Sequence, residues 1–128
     1  MTKQQDFSMW SVNFILFCLA NFLYYGAFYL YIPVLPQYVE MLGGTPADIG
    51  LVGGAFGLSS FIIRPYLGKL ANEWGRKRMM LLGTISFALL FLLFGRVTGV
   101  VPLVVLRLAH GVCLAMYLAV SAAYIADY

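Results

Sequence analysis

Long apolar stretches alternate with short polar stretches along the whole chain. Four apolar segments stand out, at residues 10–32, 49–71, 79–94 and 100–126. A helix needs about 20 apolar residues to cross a hydrocarbon core of about 30 Å, and in lipid it has to satisfy its own backbone hydrogen bonds. The pattern therefore predicts an all-α membrane protein with four transmembrane helices, of which the third is the shortest.

The polar stretches predict how the spans are connected. We expect a tail at 1–9, an outer loop at 33–48, a basic loop at 72–78, an outer turn at 95–99 and an end at 127–128. Cytoplasmic loops carry an excess of Lys and Arg. The basic loop and its flank hold four such residues, namely Lys69, Arg76, Lys77 and Arg78. This predicts a multi-pass protein of the cell (inner or plasma) membrane with a cytoplasmic N-terminus.

Helix-end signals support these limits. In the run Thr45-Pro46-Ala47-Asp48, Thr suits the N-cap, Pro suits the first helical position, and the acid complements the positive end of the helix dipole. The run therefore predicts the start of the second transmembrane helix. Pro33 and Pro36 predict the end of the first one.

The composition excludes a soluble globular domain and a disordered chain. Hydrophobic residues make up 62% of the chain and charged residues only 10%, against about 45–50% and about 25% in globular domains. The single His and the two distant cysteines offer no metal-ligand, disulfide or catalytic spacing. We expect no enzyme activity, no metal and no cofactor. The few basic residues are confined to a turn, so we expect no nucleic acid partner.

Small residues recur at helical spacing in two segments. Gly53 and Gly57 lie along one stripe of the second segment, and Gly111 and Ala115 along one stripe of the fourth. Small side chains let another helix approach closely, and packing holds helices together in lipid. The stripes therefore predict helix–helix contacts at these four residues.

Polar residues inside the apolar segments are the candidates for function. Arg107 lies about seven residues inside the outer end of its segment, roughly 10 Å deep, where a charge costs about 2.5–3.5 kcal/mol. We interpret it as a functional or cavity-lining residue; the alternative is that its long side chain reaches the outer surface. His110, one turn deeper, is a second candidate functional group, with hydrogen-bonded packing as the alternative.

Three further polar residues of the spans are candidates for lining a cavity: Asn21, Tyr25 and Tyr117. Aromatic packing is the alternative interpretation for them. The four segments contain no Asp or Glu. A carboxylate that couples transport to protons is therefore not expected within them.

The basic loop carries the most specific motif of the sequence. Residues 68–78 read GKLANEWGRKR, which resembles the Gly-x-Leu-Ala-Asp-x-x-Gly-Arg-Arg/Lys signature of the major facilitator superfamily. In that family the signature lies between the second and third helices, on the cytoplasmic side. Asn72 stands where the signature has an acid, and an amide can form hydrogen bonds but cannot form an ion pair.

Three other segments resemble the family in the same order along the chain. Residues 30–36 (LYIPVLP) resemble a segment of drug and sugar efflux members. Residues 105–111 (VLRLAHG) resemble a fourth-helix motif whose arginine is linked to proton transfer, which makes Arg107 and the neighbouring His110 candidates for a proton or substrate site. Ala126-Asp127 resembles the acid that closes the fourth helix and pairs with the basic loop.

The resemblance implies a fold, a function and a set of residues. Family members have about 12 helices in two halves, so the chain would correspond to the first four, with the other helices as partners. It implies secondary active, proton-coupled export of small molecules across the lipid bilayer by alternating access. The residues implied for the cytoplasmic gate are Gly68, Leu70, Asn72, Gly75, Arg76, Lys77 and Asp127.

Two other functions are compatible with the sequence. A four-helix chain could transport as a homodimer, resembling the small multidrug resistance proteins in size, although their carboxylate in the first helix has no counterpart here. The chain could also be a non-transporting membrane protein that associates with a partner protein through its small-residue stripes.

Overall fold

A computed structural model describes residues 11–126 of the chain. It contains five helices in this range, which are α1 (Val12–Tyr31), α2 (Val34–Met41), α3 (Pro46–Trp74), α4 (Arg76–Phe94) and α5 (Val100–Ala126). Four of them, α1, α3, α4 and α5, are long and apolar enough to cross a membrane. The described part of the chain has no strand, and the predicted fold class is confirmed.

The predicted outer loop is not all loop, because helix α2 lies inside it. Pro33 precedes α2 and Pro36 occupies its first turn, where proline removes no helical hydrogen bond. Helix α1 ends at Tyr31, before both prolines, and a new helix begins at Val34. Leu35 and Val39 are buried, so packing holds α2 against the bundle.

The predicted basic loop is also mostly helical. Helix α3 continues to Trp74 and α4 begins at Arg76, so Gly75 alone separates them. Gly75 has a φ of 90°, a conformation that favours glycine. The hydropathy pattern marks where apolar residues stop, whereas a helix continues for as long as its backbone bonds are made. The membrane borders along these helices stay a prediction.

The predicted start of α3 is confirmed in detail. The Thr45 hydroxyl accepts a hydrogen bond from the Asp48 backbone N–H at 3.4 Å, and the Asp48 carboxylate accepts one from the Thr45 backbone N–H at 2.7 Å. This reciprocal pair satisfies two backbone donors that a helix start otherwise leaves unpaired.

Helix α5 is the centre of the bundle. Half of its most apolar stretch is buried, against 17–22% in the other three long helices. Gly111 faces the Phe56 carbonyl and the Ser59 hydroxyl of α3 so closely that a side chain there would overlap them. On the other side, a Cβ at Gly83 of α4 would lie 3.3 Å from the Cys113 carbonyl. Glycine thus permits both close contacts, and Ala115 is fully buried between the helices.

The two glycines predicted on α3 behave differently. Gly53 and Gly57 are exposed, and a Cβ at either would meet nothing within 4 Å. They form no contact between the described helices. Their role in helix packing stays a prediction for a partner outside the described part of the chain.

Helix α1 is attached to the bundle through aromatic rings. Tyr24 stacks on Tyr117 of α5, with ring centres 4.0 Å apart and planes 9° from parallel. Phe28 stacks on Phe56 of α3 at 5.3 Å. Such ring pairs add about 0.5–1.5 kcal/mol to the burial of their area, so α1 is held by a few large side chains.

Candidate functional site

Two polar side chains lie buried on α5, one helical turn apart. Arg107 exposes 3% of its surface and His110 none. The close approach of α3 at Gly111 and of α4 at Gly83 encloses this part of α5. The structure therefore brings both predicted site residues together in the interior of the bundle, and Arg107 does not extend into open surroundings.

Aromatic rings surround the Arg107 guanidinium. Its central carbon lies 4.5 Å from the Phe56 ring centre and 5.5 Å from that of Tyr31. The negative faces of such rings attract a cation. Within residues 11–126, Nε and Nη1 of Arg107 are buried without a hydrogen-bond partner. The rings compensate part of the charge and leave these donors free for an acceptor.

His110 lies in a cluster of phenylalanines. Its ring centre is 4.2 Å from that of Phe87, 5.5 Å from that of Phe94 and 5.6 Å from that of Phe56. Neither Nδ1 nor Nε2 has a hydrogen-bond partner among the described residues. A buried polar group without a partner costs about 1–3 kcal/mol, so four unpartnered nitrogens in one turn of α5 indicate a site for a ligand or for another polar group.

Tyr31 and Phe56 contact the site but are not among the residues that the sequence predicts for it. Both come from other helices, and no local pattern marks them. The one available signal was depth. Tyr31 ends α1, and the sequence predicts that the end of α1 and the start of α5 lie on the same side of the membrane. The face it presents depends on how α1 packs, which sequence spacing does not reveal.

The three cavity candidates do not share one cavity. Tyr117 is 2% exposed and lines an apolar groove of about 650 Å³ between α1 and α4. Asn21 and Tyr25 do not line that groove. The Asn21 amide donates to the Phe17 carbonyl of its own helix at 2.8 Å, and the Tyr25 ring packs edge-on against that of Tyr117 at 6.3 Å. Their role in a cavity stays a prediction.

The motif residues lie around the break between α3 and α4. Arg76 Nη1 donates to the Ala123 carbonyl near the end of α5 at 3.5 Å, and cations are favourable at that end of a helix. Asp127 lies outside the described residues. The Arg76 contact nevertheless reaches the part of α5 after which Asp127 follows.

The other motif residues are mostly exposed. Gly68, Asn72 and Lys77 are exposed, whereas Leu70 is half-buried against the cluster around Leu67. They are therefore available for contacts with groups outside the described residues. No group of three or more His, Cys, Asp or Glu residues comes together as a metal site in the part of the chain that the structure describes.

The chain has four apolar helices of spanning length, and one of them carries a buried Arg. These features define the class of the protein, which is a multi-pass membrane protein. The model of the Major Facilitator Superfamily matches residues 17–128. The chain belongs to this family, as its basic motif suggested.

Curated relatives carry names that refer to drug resistance. "Multidrug resistance protein 2" of Bacillus subtilis (strain 168) is 34% identical over 98 residues, which cover 77% of this chain and 24% of the relative. "Quinolone resistance protein NorA" of Staphylococcus aureus (strain Mu50 / ATCC 700699) is 48% identical over 59 residues, 46% of this chain and 15% of the relative. The chain spans about a quarter or less of the length of these relatives. No solved structure matches the chain.

Proposed function

We propose that the chain forms the first four helices of a secondary active, proton-coupled transporter that exports small molecules. The main observation that supports this proposal is the pair Arg107 and His110. Both are buried in a spanning helix, and their nitrogen atoms have no hydrogen-bond partner among the described residues. Ionisable residues inside a membrane are costly and typically belong to substrate or ion pathways. Transport, rather than an enzymatic reaction, is the function that uses them.

The names of the relatives support the substrate class. They refer to resistance against several drugs and against quinolones. We propose that this chain takes part in exporting small organic compounds, with Asn21, Tyr25 and Tyr117 at the wall of the cavity. The cavity would be completed by helices beyond those of this chain.

We propose that the transporter lies in the cell membrane with its N-terminus and the basic motif in the cytoplasm. The support is the excess of basic residues at the junction of α3 and α4, compared with Arg96 at the other end. In this orientation α2 is on the outer side.

The basic motif is proposed as a gate for alternating access. Arg76 contacts the end of α5, and we propose that Asp127 pairs with it when the cytoplasmic side is closed. The amide of Asn72 would add a hydrogen bond rather than an ion pair. Gly75 and Lys77 flank Arg76 in the sequence, and Gly68 belongs to the same motif.

The proposal can be tested in bacterial cells that lack their own efflux pumps. The complete protein is expressed, and the accumulation of ethidium is measured by fluorescence. We expect less accumulation with the protein than without it, and we expect a protonophore to abolish the difference. Arg107→Gln removes the buried charge and should abolish export.

Arg96→Gln is the matched control, because Arg96 is exposed near the start of the outer turn. It should export like the unchanged protein. Equal accumulation with and without the protein, for ethidium and for a quinolone, would contradict the proposed export. Export that persists in the presence of the protonophore would contradict proton coupling.

A further inference from the structure

We propose that Arg64 of α3, with Tyr25 of α1 beside it, binds the carboxylate of an exported compound and thereby selects compounds that carry this group. The inference rests on the proposed transport function. It adds the chemical class of the substrate and the residue that recognises it.

Arg64 is a charged residue in the apolar part of a spanning helix. It is exposed, so a ligand can reach it, and it has no hydrogen bond or ion pair with another described residue. Ionisable residues inside a membrane typically pair with an opposite charge or line a substrate or ion pathway. The four apolar segments contain no Asp or Glu. An anion for Arg64 therefore has to come from outside these helices.

The Arg64 side chain is directed into the membrane rather than toward the cytoplasmic surface. Helical side chains lean toward the N-terminus of their own helix, and α3 begins on the proposed outer side. The charge of Arg64 acts on the Tyr25 phenol. Tyr25 lies about two-thirds of the way along α1 from its start at Val12. This proximity favours a position of the guanidinium well inside the bilayer.

Helix α1 has a polar flank and an apolar flank. Asn21, Tyr25 and Tyr29 follow one another at intervals of four residues and so share one face, and Arg64 lies on the same side. The other flank faces α4 and contributes residues such as Leu23 to the apolar groove. A flank with an amide, phenols and a guanidinium suits a water-filled pathway, because polar groups in a membrane face the bundle interior or a cavity.

The backbone beside Arg64 is also interrupted. Pro65 lies inside α3, and because proline has no backbone N–H, the carbonyl of Phe61 loses its usual donor. In a membrane such a carbonyl is tolerated where protein groups satisfy it or where it lines a water-filled cavity. Phe61 is 76% exposed, which favours the cavity.

Arg64 and Tyr25 together fit a small aromatic acid. A guanidinium can bind both oxygens of a carboxylate through parallel hydrogen bonds. The Tyr25 ring is held edge-on against Tyr24 at 5.8 Å and against Tyr117 at 6.3 Å, and it can pack against an aromatic group attached to the carboxylate. Neutral and cationic compounds gain nothing from Arg64.

Norfloxacin and its decarboxylated analogue test the proposal, because the two compounds differ only in the carboxylate. Binding of each compound to the complete protein in detergent is measured by equilibrium dialysis at neutral pH. Norfloxacin should bind at least about 10-fold more tightly than the analogue, which is the effect of hydrogen bonds to a charged group.

Substitutions of Arg64 identify the residue that recognises the carboxylate. Arg64→Gln keeps a polar side chain without the charge. It should weaken norfloxacin binding by at least about 10-fold and leave the affinity for the analogue unchanged. Arg64→Lys keeps the charge without the parallel donors and should give an intermediate affinity for norfloxacin. Arg96→Gln is the matched control, because Arg96 is exposed at the other end of the bundle; both affinities should stay unchanged.

The comparison of the two compounds separates recognition from a structural role. If Arg64 pairs with an acid of another helix or with a lipid phosphate, Arg64→Gln changes both affinities in parallel or neither of them. Either result would overturn the inference, and so would absent norfloxacin binding or equal affinities of the unchanged protein for the two compounds. Carboxylate-dependent binding that Arg64→Gln removes would support the inference, including in a protein that fails to export ethidium.

Discussion

The guanidinium carbon of Arg107 lies 4.5 Å from the centre of the Phe56 ring. This contact joins α5 to α3 at the level of the candidate site. The same α3 turn supplies the Phe56 carbonyl that approaches Gly111. The cation, the ring and the close helix contact are therefore parts of one local arrangement, and changes in any of them should affect the others.

Replacement of Phe56 tests the contact between the cation and the ring. Phe56→Leu keeps an apolar side chain and removes the aromatic face, which should lower the free energy of unfolding by about 0.5–2 kcal/mol. The thermal unfolding midpoint of the complete protein in detergent measures this loss. Phe61→Leu on the same helix is the control, because Phe61 is 76% exposed. Equal losses in the two variants would contradict a specific role for Phe56.

Gly111 should tolerate no side chain. In Gly111→Ala the new methyl group would overlap the Phe56 carbonyl and the Ser59 hydroxyl, and α3 would have to move away. Overpacking of this kind costs about 1–3 kcal/mol, which should appear as a lower unfolding midpoint.

Gly54→Ala is the matched control for that substitution, because a Cβ at Gly54 meets no atom of the described residues within 4 Å. It should leave the midpoint nearly unchanged. An unchanged midpoint for Gly111→Ala would show that α3 and α5 do not pack this closely.

A hydrogen bond from Tyr38 holds α2 against the rest of the bundle. Its hydroxyl donates to the Phe94 carbonyl at the end of α4 at 2.5 Å. Tyr38→Phe removes that hydrogen bond and should cost about 0.5–1.5 kcal/mol, again measured as a lower midpoint. Tyr66→Phe is the control, because Tyr66 is 68% exposed. A similar fall of the unfolding midpoint in Tyr66→Phe would argue against a specific role of the Tyr38 hydrogen bond.

Arg76 should affect the rate of transport more than the binding of the ligand. Arg76→Gln weakens the contact with the Ala123 carbonyl and, if Asp127 is its partner, the proposed ion pair. A loss of about 0.5–1.5 kcal/mol shifts the balance of gate states roughly 2- to 10-fold. Ethidium export should fall while the affinity for ethidium stays constant.

Arg96→Gln is the control for the gate, since Arg96 is exposed and lies outside the basic motif. Its export should match that of the unchanged protein. If Arg76→Gln instead reduces the affinity for ethidium, Arg76 belongs to the binding site rather than to a gate.

The sequence alone determined the number of spanning helices and the start of α3. A single apolar run of sufficient length satisfies its own backbone hydrogen bonds in lipid by forming a helix. The helix-start signal at Thr45 and Asp48 involves only neighbouring residues. It also singled out Arg107 and His110, because an ionisable residue in an apolar run is conspicuous. It did not determine α2 or the length of α4, because the hydropathy pattern marks apolar stretches rather than helix ends.

Only the tertiary structure decided which groups surround the two polar residues. Tyr31, Phe56 and Phe87 come from three different helices, and their contacts with Arg107 and His110 depend on how those helices rotate and approach α5. Gly83 and Gly111 set two of these approaches, whereas Gly53 and Gly57, with the same spacing signal, face open space. Small residues permit close packing but do not specify the partner. Which glycines are covered by a neighbouring helix therefore depends on how all the helices pack together.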